Sequence, residues 1–231
     1  MLRVGLTGSI GSGKSTVASM LKELGADVME SDNLGHALME PGKPAFQQIV
    51  EVFGPEVVAG DGRLDRPRLA ELAFRGGRLN ELNAIVHPAV VEAQSTWMNS
   101  VFERDPSAIA IIVSALIFEA ERDALARGER GTPLADLRRR IDYLVVVTAP
   151  DDVKIRRYVD RLGIPQVQRP AAEADARSRL AHQIPDAEKA ARADYVLENI
   201  GDKRALLAKV RTLWGHLQAE SNKERYTGFL K

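Results

Sequence analysis

The sequence contains no cysteine and few aromatic residues, which make up 5% of its 231 positions. Without cysteine the protein can form neither a disulfide framework nor a catalytic thiolate, so a hydrophobic core must stabilise it. Long apolar runs are missing too. A typical one, residues 108–118, is far shorter than the roughly 20 residues that a membrane-spanning helix needs. No N-terminal signal segment is visible, so we expect a cytoplasmic protein that does not act in a membrane.

The chain also lacks an excess of charge of either sign. Lysine and arginine together number 32, and aspartate and glutamate also number 32. A balanced chain has no overall electrostatic attraction for nucleic acid, so we expect no nucleic-acid partner. If the ligand is an anion, its positive contacts must be concentrated at one site. The four histidines are scattered along the chain, so we expect no transition-metal site.

Short β-branched segments alternate with amphipathic helical patterns over most of the chain. This alternation predicts an α/β fold in which helices cover a parallel sheet. Two of the segments are apolar throughout, as expected of strands that are buried on both faces. The predicted strands are residues 3–7, 26–30, 108–114, 142–148 and 193–199.

The remaining segments are mainly helical. We predict one domain over residues 1–215, with a helical region at about 33–105, and a polar, frayed C-terminal tail over residues 216–231. Within the helical region, Pro88 is expected to open a helix, because proline suits the first helical position. Residues 126–133 are expected to form a loop insertion.

A glycine-rich segment lies between the first predicted strand and the first predicted helix. Its sequence from Gly8, "GSIGSGKS", fits the pattern G-x-x-x-x-G-K-[S/T] of phosphate-binding loops. In such a loop, glycines let backbone N–H groups and a helix N-terminus surround phosphate oxygens. Lys14 can reach the β- and γ-phosphates, and the Ser15 hydroxyl can bind Mg²⁺. The predicted nucleotide-binding residues are Gly11, Ser12, Gly13, Lys14, Ser15 and Thr16.

A phosphate-binding loop alone does not distinguish a kinase from a GTPase switch or a motor ATPase. Residues 32–35, "DNLG", fit the D-x-x-G pattern of GTPases, but they directly follow the second strand, which is too early for that motif. The guanine-binding pattern N-K-x-D is absent, since residues 222–225 are "NKER". The apolar run at 111–119 does not end in the adjacent carboxylates typical of motor ATPases. Elimination favours a kinase with a small acceptor.

Phosphoryl transfer also needs a group that orients or deprotonates the acceptor, and cations that stabilise the migrating phosphoryl group. Asp32 follows the second strand, where parallel sheets bind ligands, and could fill the first role; alternatively it caps a helix. Arg157 and Arg161 are four residues apart on one helical face and could fill the second; alternatively they belong to an ordinary solvated helix. Residues 151–185 are polar and contain prolines, as a mobile lid would.

Taken together, these segments resemble the dephospho-coenzyme A kinase family, and the resemblance extends to about residue 201. The matching segments are "LTGSIGSGKSTVA" (6–18), "VMESDNLGHALMEPG" (28–42), "FGPEVVAGDGRLDRPRLAELAF" (53–74), "LNAIVHPAV" (82–90), "VKIRRYVDR" (153–161), "RLAHQIP" (179–185) and "ADYVLEN" (193–199). The ordered set is far more specific than the phosphate-binding loop alone.

This resemblance implies transfer of the γ-phosphoryl group of ATP, with Mg²⁺, to the 3′-hydroxyl of the ribose in dephospho-coenzyme A. It implies a three-layer P-loop NTPase fold like that of nucleoside monophosphate kinases, with a five-stranded parallel sheet, a helical substrate-binding region and a lid. By the same resemblance, Asp32 would act on the acceptor hydroxyl, and Lys14, Arg157 and Arg161 would contact the phosphates. His87 falls in the helical substrate region and is a substrate-binding candidate; a structural hydrogen bond at a helix start is the alternative.

Several positions differ from the family pattern. Glu30 stands where the family usually has aspartate, Ala115 where it has proline, and Lys154 where it has glutamine. Because Ala115 changes the motif that ends in Glu119, the role of that glutamate transfers less directly. Residues 120–140 look longer than usual.

Two other functions stay open at this point. One is a P-loop kinase that phosphorylates another nucleoside or small alcohol, and the other is a non-catalytic, nucleotide-responsive binding protein. We expect a monomer or a weak homo-oligomer.

Overall fold

A computed structural model describes the backbone of residues 1–228, and the side chains of these residues except 32, 33 and 224–228. The strands are β1 (Leu2–Thr7), β2 (Asp27–Glu30), β3 (Ile109–Val113), β4 (Tyr143–Thr148) and β5 (Tyr195–Glu198). The helices are α1 (Lys14–Glu23), α2 (Ser31–Leu38), α3 (Pro44–Phe53), α4 (Arg66–Ala70), α5 (Leu79–Arg104), α6 (Ile117–Ala126), α7 (Asp151–Leu162), α8 (Arg169–His182), α9 (Asp186–Ala191) and α10 (Lys203–Gly228). None of these described helices combines the length and the apolarity needed to cross a bilayer.

The strands form one five-stranded parallel sheet with the order β2-β3-β1-β4-β5. In the centre of the sheet, Val4 of β1 pairs with Ile111 of β3 on one side and with Tyr143 of β4 on the other. The connections that follow β1 and β4 lead in opposite directions, to β2 and to β5. Such a divergence opens a crevice at the carboxyl ends of two neighbouring strands, which is where open α/β sheets bind ligands.

Both faces of the central strands are buried. Alternate residues of β1, such as Val4 and Leu6, share one core cluster with Leu21 of α1 and Leu213 of α10. On the opposite face of the sheet, Ile117 of α6 lies against β1. Because each central strand is covered twice, its residues are apolar without alternation. The predicted three-layer α/β fold is confirmed, and each predicted strand is present.

The helix around Pro88 differs from the prediction. α5 begins at Leu79 and runs through Pro88, so this proline does not open a helix. Proline has no N–H group, so the bond to the carbonyl of Ala84 is absent. Tertiary packing on both flanks outweighs that loss: Ile85 packs into a core cluster before the proline, and Met98 is buried after it.

The C-terminal segment differs as well. α10 continues into the predicted tail as far as Gly228, and Leu217 is fully buried in the sheet's core cluster. The hydroxyl of Ser221 donates to the carbonyl of Ser107 at 3.5 Å. A free tail therefore does not begin at residue 216. The composition of this segment is polar, and the apolar residues of the amphipathic helix are widely spaced, so the sequence did not indicate a packed helix.

The described residues fall into two compact units. The first comprises Met1–Met29, Met98–Glu119 and the chain from Arg140 as far as it is described, and it holds nearly all of the sheet. The second comprises Glu30–Trp97 and Ala120–Arg139.

The second unit has apolar clusters of its own. In one, Ile49 and Phe53 of α3 pack with Leu69 of α4. In another, Leu134 packs with Val91 of α5 and with the end of α6. The stretch 120–140, which looks long in the sequence, therefore contributes to a packed core.

Candidate active site

The glycine-rich loop joins β1 to α1 at the crevice beside β4. α1 begins at Lys14, and Gly13 is its N-cap residue, with φ of 95°. Gly13 has no side chain that could cap this N-terminus. The N-terminus of α1 therefore faces the loop without a capping side chain from its own N-cap residue, and the helix dipole favours an anion there.

Two glycines of the loop are also required by close packing. A Cβ at Gly11 would lie 2.1 Å from the carbonyl oxygen of Lys154, and a Cβ at Gly13 would lie 2.1 Å from Nδ2 of Asn199. Both contacts are far inside van der Waals distance. The backbone of the loop therefore lies directly against α7 and against the residue that follows β5.

Two residues at the junction of α8 and α9, Gln183 and Asp186, bind the first half of the loop. The backbone N–H of Ile10 donates to Oε1 of Gln183 at 3.0 Å, and the Ser9 hydroxyl donates to the carboxylate of Asp186. The side chain of Ile10 also packs against an apolar cluster formed by α7 and α8. The loop and the base of the predicted lid thus form one packed structure.

Asn199 connects the second half of the loop to an arginine of α7. Its Nδ2 donates to the carbonyl of Ser12 at 2.8 Å, and its own carbonyl accepts from Nη1 of Arg157 at 3.2 Å. The same Nη1 lies 4.0 Å from the place that a Cβ at Gly13 would occupy. Asn199 therefore holds the Arg157 guanidinium beside the N-terminus of α1.

Lys14 supplies a second cation at the loop. Its Nζ donates to the carbonyl of Ser9 at 3.0 Å. With Arg157 on the other side, two positive side chains flank an uncapped helix N-terminus. This combination of N–H groups and fixed positive charge is suited to a polyphosphate.

The two arginines predicted on one face of α7 have different surroundings. Arg157 is half-buried beside Asn199, whereas Arg161 is exposed, with Cζ 5.8 Å from the ring centroid of Tyr158. The hydroxyl of Tyr158 donates to Asp175 of α8 at 2.6 Å. This hydrogen bond, helped by burial, raises the pKa of Tyr158, and it lowers the pKa of Asp175.

Ser15 carries one of the two hydroxyls in the first turn of α1, beside Thr16, and it is exposed. Among the described side chains, no group of three or more histidines and carboxylates is placed to hold a metal ion. A single hydroxyl fits a Mg²⁺ ion whose other ligands are phosphate oxygens and water.

A sequence model of the dephospho-CoA kinase family matches residues 2–129 and 133–204. The chain belongs to the dephospho-CoA kinase family. The three residues left out of the match, 130–132, lie within the loop that the sequence predicts as an insertion. The resemblance identified from the motifs is therefore confirmed.

Relatives of the family are similar over most of their length. A dephospho-CoA kinase from Moorella thermoacetica is 37% identical over 221 residues, which is 94% of this chain and 93% of that protein. One from Anaeromyxobacter dehalogenans is 39% identical over 217 residues, covering 93% and 92% of the two chains.

Solved structures agree with this fold. The crystal structure of TT1252 from Thermus thermophilus is 31% identical, has a TM-score of 0.68 and covers 94% of this chain and 97% of its own. A dephospho-CoA kinase from Campylobacter jejuni, at 16% identity, has a TM-score of 0.53 and covers 93% and 96% of the two chains. At that identity the second likeness supports the fold alone.

The acceptor-side candidates belong to the second unit. Asp32 is in the first turn of α2, and its side chain lies outside the described residues. Glu30 is the last residue of β2 and is exposed. His87 is half-buried inside α5, so it does not stand at a helix start as expected.

Glu119 is held inside the first unit. Its Oε1 accepts from the N–H of Ile184 at 2.9 Å and lies 2.9 Å from Nζ of Lys189, which is fully buried. The turn before it, where Ala115 replaces the family proline, is closed by the Ser114 hydroxyl, which accepts from the N–H of Leu116 at 3.1 Å. The contacts of Glu119 within this unit are thus structural ones.

Sequence reasoning missed four residues that support the loop: Ser9, Gln183, Asp186 and Asn199. Gln183 lies in the family segment "RLAHQIP" (179–185) and Asn199 in "ADYVLEN" (193–199), but the resemblance assigned them no role. Ser9 is a variable position of the loop pattern, and Asp186 follows the first of those segments. Only the folded chain brings residues 183–199 to the loop.

Proposed function

We propose that this kinase transfers the γ-phosphoryl group of ATP to the 3′-hydroxyl of the ribose in dephospho-coenzyme A, giving coenzyme A and ADP. The observation that carries the proposal is the anion site at the N-terminus of α1, with Lys14 and Arg157 beside it, in a chain of the dephospho-CoA kinase family. The family match supports the acceptor, and the geometry supports the donor.

The donor side is built from the loop and α1. Backbone N–H groups from Gly11 to Thr16 bind the β- and γ-phosphates, and Lys14 moves from its contact with Ser9 to the phosphate oxygens or bridges both. Ser15 would hold Mg²⁺, and the ion would neutralise charge on the phosphates.

Arg157 stabilises the phosphoryl group in transit. Charge spreads over its three equatorial oxygens in the transition state, and a cation fixed in advance requires no reorganisation at that moment. The bond between Asn199 and Arg157 supplies such fixation. Arg161 is proposed as a second lid cation, on the same helix.

On the acceptor side, the ribose oxygen attacks the γ-phosphorus, and the bond from that phosphorus to the β,γ-bridging oxygen breaks. ADP leaves with the bridging oxygen, and the hydroxyl proton passes to the carboxylate of Asp32. His87 is proposed to contact the substrate from α5. Family resemblance and chain position support both roles.

An acceptor panel tests the proposal. ADP release is measured with dephospho-coenzyme A, adenosine, AMP and shikimate at equal concentration, and phosphorylation at the 3′ position is checked by phosphorus NMR. We expect dephospho-coenzyme A to give the highest kcat/KM. Equal or greater activity with one of the others would favour the second candidate, a kinase for another nucleoside or small alcohol.

Two substitutions test the assigned residues. Asp32→Asn should bind ATP normally and lose most of kcat; a near-normal kcat would leave Asp32 as a helix residue only. Arg157→Met should lower kcat by roughly 10²- to 10³-fold. Arg156→Met is the matched control, because Arg156 is the exposed neighbour on the same helix. Similar losses in both arginine variants would contradict the role of Arg157.

A further inference from the structure

Lys154 is a buried cation held between two carboxylates. Only 3% of the residue is exposed, and its Nζ lies 2.7 Å from Oδ1 of Asp151 and 2.8 Å from Oδ2 of Asp186. Burial opposes the charge, but the hydrogen bonds to the two aspartates outweigh it and raise the pKa of Lys154. The ammonium therefore keeps its charge throughout the neutral range.

Asp186 links Lys154 to the glycine-rich loop. While one carboxylate oxygen accepts from Lys154, the other accepts from the hydroxyl of Ser9, which is itself 2% exposed. The hydrogen bonds thus run without interruption from α7, through the first residue of α9, to the loop. We call Lys154, Asp186 and Ser9 the relay.

Lys154 is linked to the loop at two points. Its ammonium is joined to Ser9 through Asp186, and its carbonyl oxygen lies 2.1 Å from the position that a Cβ at Gly11 would occupy. A shift of α7 would therefore move the loop backbone at two points.

The relay contacts one of the two cations of the anion site directly, and the other cation lies on the same helix as Lys154. The carbonyl of Ser9 accepts from the ammonium of Lys14 at 3.0 Å. Arg157 is one helical turn beyond Lys154 on α7, with its guanidinium beside Gly13.

We propose that Lys154, Asp186 and Ser9 are positioning residues, which fix the loop against α7 and so set Lys14 and Arg157 at the phosphates of bound ATP. The proposal rests on the proposed function only in taking ATP as the ligand of the loop.

A purely structural ion pair predicts a different result. Such a pair would change the free energy of unfolding, and hence the amount of active enzyme, without changing the affinity of the site for nucleotide. The decisive readouts are therefore the Kd of MgADP, measured by titration calorimetry without acceptor, and the KM for ATP.

Three single variants remove the relay in different ways: Lys154→Met, Asp186→Ala and Ser9→Ala. The matched control is Asp160→Ala, the same chemical change near the other end of α7, where Asp160 pairs with Arg169 of α8 at 2.6 Å. We expect each relay variant to raise the Kd of MgADP roughly 10- to 100-fold, as supporting residues around a site typically do. The KM for dephospho-coenzyme A should stay within about twofold, and the control should bind MgADP like the wild type.

Non-additivity is the second test. Ser9→Ala and Asp186→Ala remove the same hydrogen bond, so the double variant should bind MgADP no more weakly than Asp186→Ala alone. Fully additive losses, or relay variants that lower Tm while binding MgADP like the control, would overturn the proposal. Ser9→Ala keeps both charges, so it decides the question even if the charge variants do not fold. Inactivity of the wild type with dephospho-coenzyme A would refute the proposed function but leave this binding test intact.

Discussion

At the scale of single residues, Gly11 shows that the phosphate-binding loop is constrained by its own fold as well as by its ligand. Its φ is 73°, and its Cα faces the carbonyl of Lys154 so closely that no side chain fits. The loop pattern alone explains this glycine by phosphate approach. Packing against α7 is an independent reason, and it applies without nucleotide.

Gly11→Ala tests this constraint against a matched control. Gly163 also has a positive φ, 61°, but nothing lies within 4 Å of the position of its Cβ. Gly163→Ala should therefore be destabilised only by the strain of the left-handed conformation, about 1 kcal/mol, and should keep its kinetic constants. Gly11→Ala should lose more stability and bind MgADP at least roughly 10-fold more weakly, because α7 must move. Equal effects of the two changes on unfolding by urea and on Kd would contradict this view.

At the scale of elements, the two lid helices are joined by a hydrogen bond that depends on a carboxylate. The pKa of Asp175 is lowered mainly by the bond from Tyr158, and Arg179 donates to the same carboxylate at 2.8 Å. Because the pKa of Asp175 is lower in the folded than in the unfolded chain, the ionised carboxylate stabilises the folded protein. This stabilisation is fully present above the unfolded pKa, about 4. The contribution is lost as the pH falls through the folded pKa, since the unfolded chain takes up the proton first.

Asp175→Asn should therefore be less stable than the wild type at pH 7, and the difference should shrink at pH 3. The effect is modest because solvent screens this half-exposed group. Urea unfolding at both pH values measures it. Tyr158→Phe is the control background: there, Asp175→Asn should change stability less, because the main interaction is already gone. A difference in stability that does not vary with pH would count against the Asp175 carboxylate as the group that joins the two helices.

The last helix is the second element whose role can be tested. α10 lies across the sheet, and Leu217 is fully buried in the common core. A chain that ends at Gly215 should lose about 3 kcal/mol of stability, the usual effect of deleting a buried leucine side chain, or roughly 6–12 °C in Tm. A chain that ends at Lys223 keeps the buried Ser221 and should stay within about 1 kcal/mol. Equal Tm values for the two truncations would show that residues 216–223 do form a dispensable tail.

At the scale of the whole molecule, nucleotide binding should appear as a gain in stability. A ligand that binds only the folded state stabilises it by about 2.7 kcal/mol at 100 times its Kd. For a chain of this size that corresponds to a rise of roughly 5–10 °C in Tm. We expect this shift with MgADP, measured by thermal scanning, and little shift in Lys14→Ala at the same concentration. An unchanged shift in that variant would mean that the nucleotide binds elsewhere.

Much of the fold could be predicted, because strands that are buried on both faces leave a local signal. The segments around Ile111 and Val145 are continuously apolar, and each became a strand. The loop pattern was equally local, since eight consecutive residues contain the glycines, the lysine and the hydroxyl. Arg157 was predicted from helical spacing, and the structure places it beside the loop. Its role at the phosphates stays a prediction.

The failures share one cause: the deciding contacts are distant in the chain. Pro88 looked like a helix start because local rules place proline there, yet packing of both flanks carries α5 through it. The tail looked free because its apolar residues are sparse, yet Leu217 is buried beneath the sheet.

By itself, the sequence determined what local chemistry can encode: the order of strands and helices along the chain, the loop built for phosphate, and the family to which the chain belongs. The tertiary structure alone decided what supports that loop. Ser9 meets Asp186, 177 residues away, and Ser12 meets Asn199, 187 residues away. The physical reason is that a hydrogen bond needs donor and acceptor within about 3 Å. Pairing of β4 with β1 on one side and with β5 on the other brings the segments around β5 and α9 to the loop after β1, and no local pattern records that arrangement.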